Sequence, residues 1–260
     1  MHDKSLKFCG FTLIMGIFGA FFRWAQGLSA YEPDTGLAIS GSVWSYILLG
    51  FLIISALSFI FTVFSFRKKN FPLEFSQALR IDLRLARIIG FAFAAVMAIG
   101  GLITLLSAVT APFSAFDTVI GVFAIICAIS FAAFISSPER DNANARGGAS
   151  GLIVVLFLCF WLIASYKSFA SEPVIWRYAP RILAICAAIL GYYFVVGYPY
   201  GKPKPMLCLY FCQLGAFLLI VTLSDPFKFG EQLIALSAAG GLLVLSYAIV
   251  FRALSQKDIK

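Results

Sequence analysis

Eight apolar runs, most of them long enough to cross a bilayer, follow one another along this chain with only short breaks between them. They cover residues 6–26, 44–66, 88–109, 114–135, 151–166, 178–197, 205–223 and 231–251. A hydrocarbon core about 30 Å thick takes roughly 20 helical residues. Inside it every backbone N–H and C=O must be satisfied within the protein, which for separate segments means a helix. The runs therefore predict an all-α integral membrane protein, a bundle of about eight transmembrane helices in which 1–260 forms a single domain. Composition agrees that lipid is the solvent. Hydrophobic residues make up 61% of the 260 and charged residues 12%, against about 45–50% and 25% in water-soluble domains.

Cations give the orientation, because cytoplasmic segments are enriched in Lys and Arg. With the N-terminus inside, the outer side holds Arg23, Lys167, Arg177, Arg181 and Lys228, and the other fifteen of the twenty basic residues fall inside. The expected topology is N-in/C-in. The net charge of +8 is then a product of topology, and nucleic acid is not an expected partner. Lys4 and Lys7 ahead of an apolar stretch imitate a secretory signal, but Arg23, Trp24 and Gln26 stand where small neutral residues would precede cleavage. The first segment is read as an uncleaved helix.

The longest inner connection, 67–87, is rich in Lys and Arg. Pro72 suits the first turn of a helix, and Arg80, Arg84 and Arg87 at i, i+4 and i+7 would then share a face. That face is expected to meet the anionic lipids of the inner leaflet or to dock a cytoplasmic protein. Gly90, Ala94 and Ala98, Ala124, Ala128 and Ala132, and Ala184 and Ala188 recur every fourth residue, the spacing that lets membrane helices approach closely. Ala30-Tyr-Glu-Pro33 and Ala170-Ser-Glu-Pro173, 140 residues apart, hint at a parallel four-plus-four duplication.

Little in the chain points to catalysis. No Asp, Glu, Lys, Arg or His lies near the middle of a run, where its burial cost would mark an ion path or proton relay. The one histidine is His2, and no nucleophile elbow, metalloprotease, P-loop or dinucleotide motif occurs. No catalytic residue, metal or cofactor is expected, and the chain is not read as an enzyme. The six cysteines sit in apolar runs as small hydrophobes. Cys208 and Cys212, four apart, lack a third metal ligand in view. Gln213 is the costliest polar residue to bury and is expected to hydrogen-bond across a helix interface.

The outer side carries more. Trp24, Trp44 and Trp176, with Trp161 deeper, belong to it, as do Tyr31, Tyr166 and Tyr178. An interfacial aromatic belt accounts for such residues, although here tryptophan favours one interface. Arg23, Arg177 and Arg181 run against the positive-inside trend, so something must hold them. Glu32 and Glu172 are the ion-pair partners expected, and a water-filled vestibule for an anionic or amphipathic ligand is the alternative. In that vestibule Arg23, Gln26, Arg177 and Arg181 would contact the ligand, and Trp24, Trp161 and Trp176 would wall it. Asp117 is assigned to a capping box with Ser114, and Asp225-Pro226 to a helix cap followed by proline.

The stretches Trp161-Leu-Ile-Ala-Ser-Tyr166, Glu172-Pro-Val174 and Gly201-Lys-Pro-Lys-Pro205 resemble a group of uncharacterised polytopic membrane proteins of anaerobic Gram-positive bacteria. The resemblance covers about 45 of the 260 residues. It implies a bacterial plasma (inner) membrane setting and carries no functional residue across. The expected function is binding or transport of a small molecule through an outward-facing site. The second expectation is a non-catalytic subunit or scaffold that docks a partner through 67–87.

Overall fold

The computed structural model describes residues 2–32, 37–80, 84–110, 115–168 and 174–255. Among these, every regular element is helical. The long helices are α1 (His2–Ser29), α2 (Val43–Phe64), α4 (Arg84–Thr110), α5 (Ala115–Ser136), α6 (Ala143–Ser168), α7 (Ile175–Val196), α8 (Pro205–Val221) and α9 (Phe229–Ser255), with a single short turn, α3 (Phe75–Ala78), between α2 and α4. All eight long helices are long and apolar enough to cross a membrane, as the eight runs predict.

Apolar residues settle on two very different surfaces. An 18-residue apolar stretch of α9 is 78% buried, whereas that of α2 is 22% buried. α9 packs on α4, α8, α1 and α7, while α2 lies at the rim against α1 and α8. Ile53, Ile54 and Phe61 of α2 stay exposed, Phe61 to 75%. Together with exposed Ile14, Ile17, Phe18 and Leu102, this makes an apolar surface far beyond the few hundred Å² that water-soluble monomers tolerate. Lipid is its natural solvent.

Small residues bring the helices together, as expected, but the tightest crossings involve glycines outside the four-residue ladders. A Cβ on Gly101 would lie 2.8 Å from the Gly121 carbonyl, and one on Gly100 would lie 2.8 Å from the Gly230 carbonyl. α4 therefore meets α5 and α9 backbone to backbone. Ala124 is buried beside Gly101, Ala188 beside Gly215 of α8, and Ala128 and Ala184 are buried as well. Gln213 is buried in α8 and donates to the Phe8 carbonyl of α1 at 3.4 Å, the cross-helix bond expected of it.

The start of α1 and the end of α9 share one end of the bundle. There the 67–87 segment departs from expectation. No helix starts near Pro72. The short α3 begins at Phe75, and Arg80 lies beyond it, outside any helix. Arg80 and Arg87 therefore do not share one helical face, and the side chain of Arg84 lies outside the described residues. Burial explains the interruption. Phe75, Ala78 and Leu79 are almost fully buried, and the Phe75 ring lies 5.5 Å from that of Phe134. The apolar residues pull the segment into the bundle instead of letting it run as a surface helix. The same packing starts α6 eight residues before the apolar run does. A Cβ on Gly147 would come within 2.5 Å of the Phe75 ring, so glycine there leaves room for α3. Gly148 likewise faces Tyr200.

Candidate functional site

The opposite end of the bundle gathers the C-terminal turns of α1, the start of α7 and the link from α8 to α9. That link is a 3-10 turn, Thr222–Ser224, followed by Asp225. It is braced where the Asp225 N–H donates to the Thr222 carbonyl at 3.1 Å and the Phe227 N–H to the Asp225 carbonyl at 2.8 Å. Gln232 Nε2 donates to the same Asp225 carbonyl at 3.0 Å. The link therefore holds the Asp225 carboxylate in place. α9 begins only at Phe229, so Asp225-Pro226 is not its cap, contrary to the sequence reading.

Arg23 is the hub. Its Nε donates to Asp225 Oδ1 at 2.6 Å, its Nη1 to Gln26 Oε1 at 2.7 Å, and its Nη2 to the Arg177 carbonyl at 2.7 Å. Gln26 Nε2 passes the connection on to Ser45 Oγ of α2 at 3.1 Å. One guanidinium thus ties α1 to α2, α7 and the α8–α9 link. Arg23 and Asp225 are only 4% and 5% exposed, a depth at which an unpaired ion would cost several kcal/mol. Burial pushes the Asp225 carboxyl above the ordinary carboxylate range, and the Arg23 and Arg181 cations pull it back only in part.

Arg181 is 3% exposed and makes an ion pair with Glu231. Its guanidinium lies 3.8 Å from the Phe227 ring centroid and 5.2 Å from that of Trp161, so two aromatic faces add cation–π attraction. The remaining cations of this end are also held. Lys228 Nζ donates to Asp117 Oδ2 at 2.5 Å, Lys167 lies 4.3 Å from the Phe116 centroid, and the Arg177 guanidinium lies 5.7 Å from that of Tyr31. Arg23 and Arg181 pair with Asp225 and Glu231, carboxylates other than the expected Glu32 and Glu172. Asp225 belongs to the α8–α9 link and Glu231 to the first turn of α9. Glu172, Ser114 and the repeat stretch 170–173 lie outside the described residues. Asp117, read as a cap, has Lys228 as a partner.

Two cavities flank this network. The larger, about 410 Å³, has Arg23, Trp24, Tyr31, Arg177, Asp225 and Phe227 among its walls. The smaller, about 250 Å³, reaches between α1, α2 and Pro180 of α7 and also touches Arg23, Gln26 and Tyr31. Of the residues expected to form a vestibule, Arg23, Trp24 and Arg177 come together around the first cavity, and Gln26 joins the second. Arg181 and Trp161 do not line either. Although Arg177 and Arg181 are four apart in α7, Arg177 is exposed while Arg181 turns inward beneath Phe227. Trp161 is 1% exposed and supports Arg181 from behind. The side chain of Trp176 lies outside the described residues.

No protein-family model, curated protein or solved structure matches this chain. The site's own chemistry carries the reading. Among the described residues no three His, Cys, Asp or Glu side chains converge as metal ligands. Hydrogen-bonding capacity is left over, however. Asp225 Oδ2, Arg181 Nε, Trp161 Nε1 and Tyr31 Oη are buried with no protein partner, and each such group costs about 1–3 kcal/mol if nothing meets it. Asp225, Glu231 and Phe227 are absent from the residue set expected from sequence. A usable signal existed in the pairing of buried cations with the few carboxylates at the same end.

Proposed function

We propose that this protein binds, or carries across a bacterial plasma membrane, a small anionic or amphipathic molecule that enters the larger cavity at the Arg23 end. The positive-inside bias supports an orientation with this end outward and both termini in the cytoplasm. The observation that carries the reading is the cavity of about 410 Å³, within the roughly 300–1,000 Å³ of small-molecule sites. Its lining includes two arginines and one carboxylate, an excess of positive charge. Arg23 is buried in its ion pair with Asp225 whereas Arg177 is exposed on the cavity wall, so Arg177 meets the anionic group, while Trp24 and Phe227 take the apolar part. Membrane position also favours an amphiphile, because Trp24 and Leu28 are exposed on the lipid-facing side of α1.

Thermal unfolding of the purified protein against anionic and amphipathic compounds tests this. A ligand at a hundredfold excess over its Kd stabilises the folded state by about 2.7 kcal/mol. The expected result is a stabilising compound whose effect is lost in Arg177→Ala and Trp24→Ala, neither of which breaks the buried ion pairs. Unchanged stabilisation in both variants, or none from any compound, overturns the reading.

A second reading draws on the termini end. A recess of about 310 Å³ there is lined by Pro72, Ser76, Gln77, Arg80, Pro138, Arg252 and Ser255. Exposed Arg67, Lys68 and Arg80 suit anionic lipid headgroups or an acidic partner protein. Reversal of Arg67, Lys68 and Arg80 to Glu would then release a co-purifying partner, and the cavity substitutions would not.

A further inference from the structure

The larger cavity does not end at Arg23. The smaller one shares two wall residues with it, Arg23 and Tyr31, and differs from it in chemistry. Its wall is mostly apolar, from Ala38, Ile39, Leu48, Leu49, Leu52 and Pro180, with Ser40, Ser42 and Ser45 beside them. It also lies at the rim of the bundle, where Tyr46 and Leu49 of α2 are 67% and 43% exposed to the lipid side. Tyr31, at the boundary between the two spaces, has a buried hydroxyl with no hydrogen-bond partner, although its backbone is fixed by a bridge to Ala38. At about 250 Å³ the smaller cavity is undersized for a drug-sized ligand by itself. As a continuation of the larger one it is an apolar extension with a donor at its entrance.

Resting on the functional reading above, we infer that the two cavities form one site for a single-chain anionic lipid. The phosphate or carboxylate head lies by Arg177, the polar junction accepts a hydrogen bond from Tyr31 Oη, and the chain lies along Leu48, Leu49 and Leu52. A charge-bearing cavity joined to an apolar cavity that opens toward lipid matches a molecule with these two ends. A compact, fully polar anion would leave the second cavity unused and the Tyr31 hydroxyl unmet.

Binding of butyl, octyl and dodecyl phosphate to the full-length chain in phosphatidylcholine nanodiscs separates the two proposals. Chain length should raise affinity by up to about fourfold per buried methylene. Leu52→Trp fills the smaller cavity and should flatten the series, and Ala38→Trp, from the opposite wall, does the same should Leu52→Trp fold poorly. Tyr31→Phe should weaken a lysophosphatidic acid, whose ester carbonyl can accept a hydrogen bond, more than dodecyl phosphate, which has none. A flat series in the wild type, or one whose slope survives both tryptophan variants because it reflects partition into the bilayer, overturns the two-cavity inference. Failure of butyl phosphate as well, with Arg177→Ala without effect on any probe, overturns the functional reading itself.

Discussion

At the Arg23 end, five cations are each held by a neighbour: Arg23 by Asp225, Arg181 by Glu231, Lys228 by Asp117, and Lys167 and Arg177 over aromatic rings. Arg23, Arg181 and Asp225 are almost out of reach of solvent, and Glu231 is partly buried. At the termini end the cations are more numerous and shallower. Arg87 and Glu139 pair with both side chains 35% exposed, Arg252 Nε donates to the Arg80 carbonyl at 3.1 Å, and Arg67 and Lys68 point outward. The contrast shows two uses of charge. Many exposed cations are screened by their surroundings and cost little to keep. A few buried ones, paired by carboxylates on a different segment, build local structure and shape a cavity.

The largest test of that contrast removes one partner from a buried pair. Asp225→Ala removes the carboxylate paired with buried Arg23 and should cost about 3–5 kcal/mol, read as a fall in thermal or denaturant midpoint. The matching change at the other end, Glu139→Ala, should cost less than about 1 kcal/mol because solvent screens that pair. Equal losses would break the comparison.

Next in size is a pair of glycines. Gly147→Ala drives a methyl to within 2.5 Å of the Phe75 ring and should destabilise by about 1–3 kcal/mol while loosening α3, seen as faster proteolysis near residue 75. Gly27→Ala at the Arg23 end has open space around the new Cβ. The better helix propensity of alanine should make it neutral to about 1 kcal/mol stabilising, with a smaller cavity and weaker ligand binding as its cost.

The smallest effect is on pH dependence. A carboxyl whose folded value is raised holds its proton longer in the folded state, so its contribution is fully present below the unfolded value and is lost as pH rises through the folded one. Asp225 is such a group. Wild-type protein should therefore gain stability relative to Asp225→Asn as pH falls through that window, measured by paired unfolding curves. An opposite trend would mean that the Arg23 ion pair outweighs burial.

The helices themselves were legible in sequence because lipid enforces a simple rule, apolar residues in runs of bilayer length. Gly100, Gly101 and Gly230 show the first limit. Their importance lies in which backbone crosses which, and three positions in distant helices leave no shared pattern in one chain. Phe75 and Leu79 show the second. Beside three arginines they read as part of a surface helix, and only the space left by Gly147 reveals that they turn inward.

The same limit separates the candidate site into two parts. That Arg23, Arg177 and Arg181 are out of place against the positive-inside trend is a property of the linear chain, as is the clustering of tryptophan at one interface. Sequence alone therefore determined the membrane fold, the number of spans and the end at which unusual charge collects. Tertiary structure decided that Asp225 and Glu231 hold two of these cations, that Arg181 and Trp161 are buried supports, and that Arg177 with Trp24, Tyr31 and Phe227 faces a cavity. The physical reason is that apolar transfer depends on each segment by itself, whereas an ion pair or a cavity depends on distances between segments about 200 residues apart.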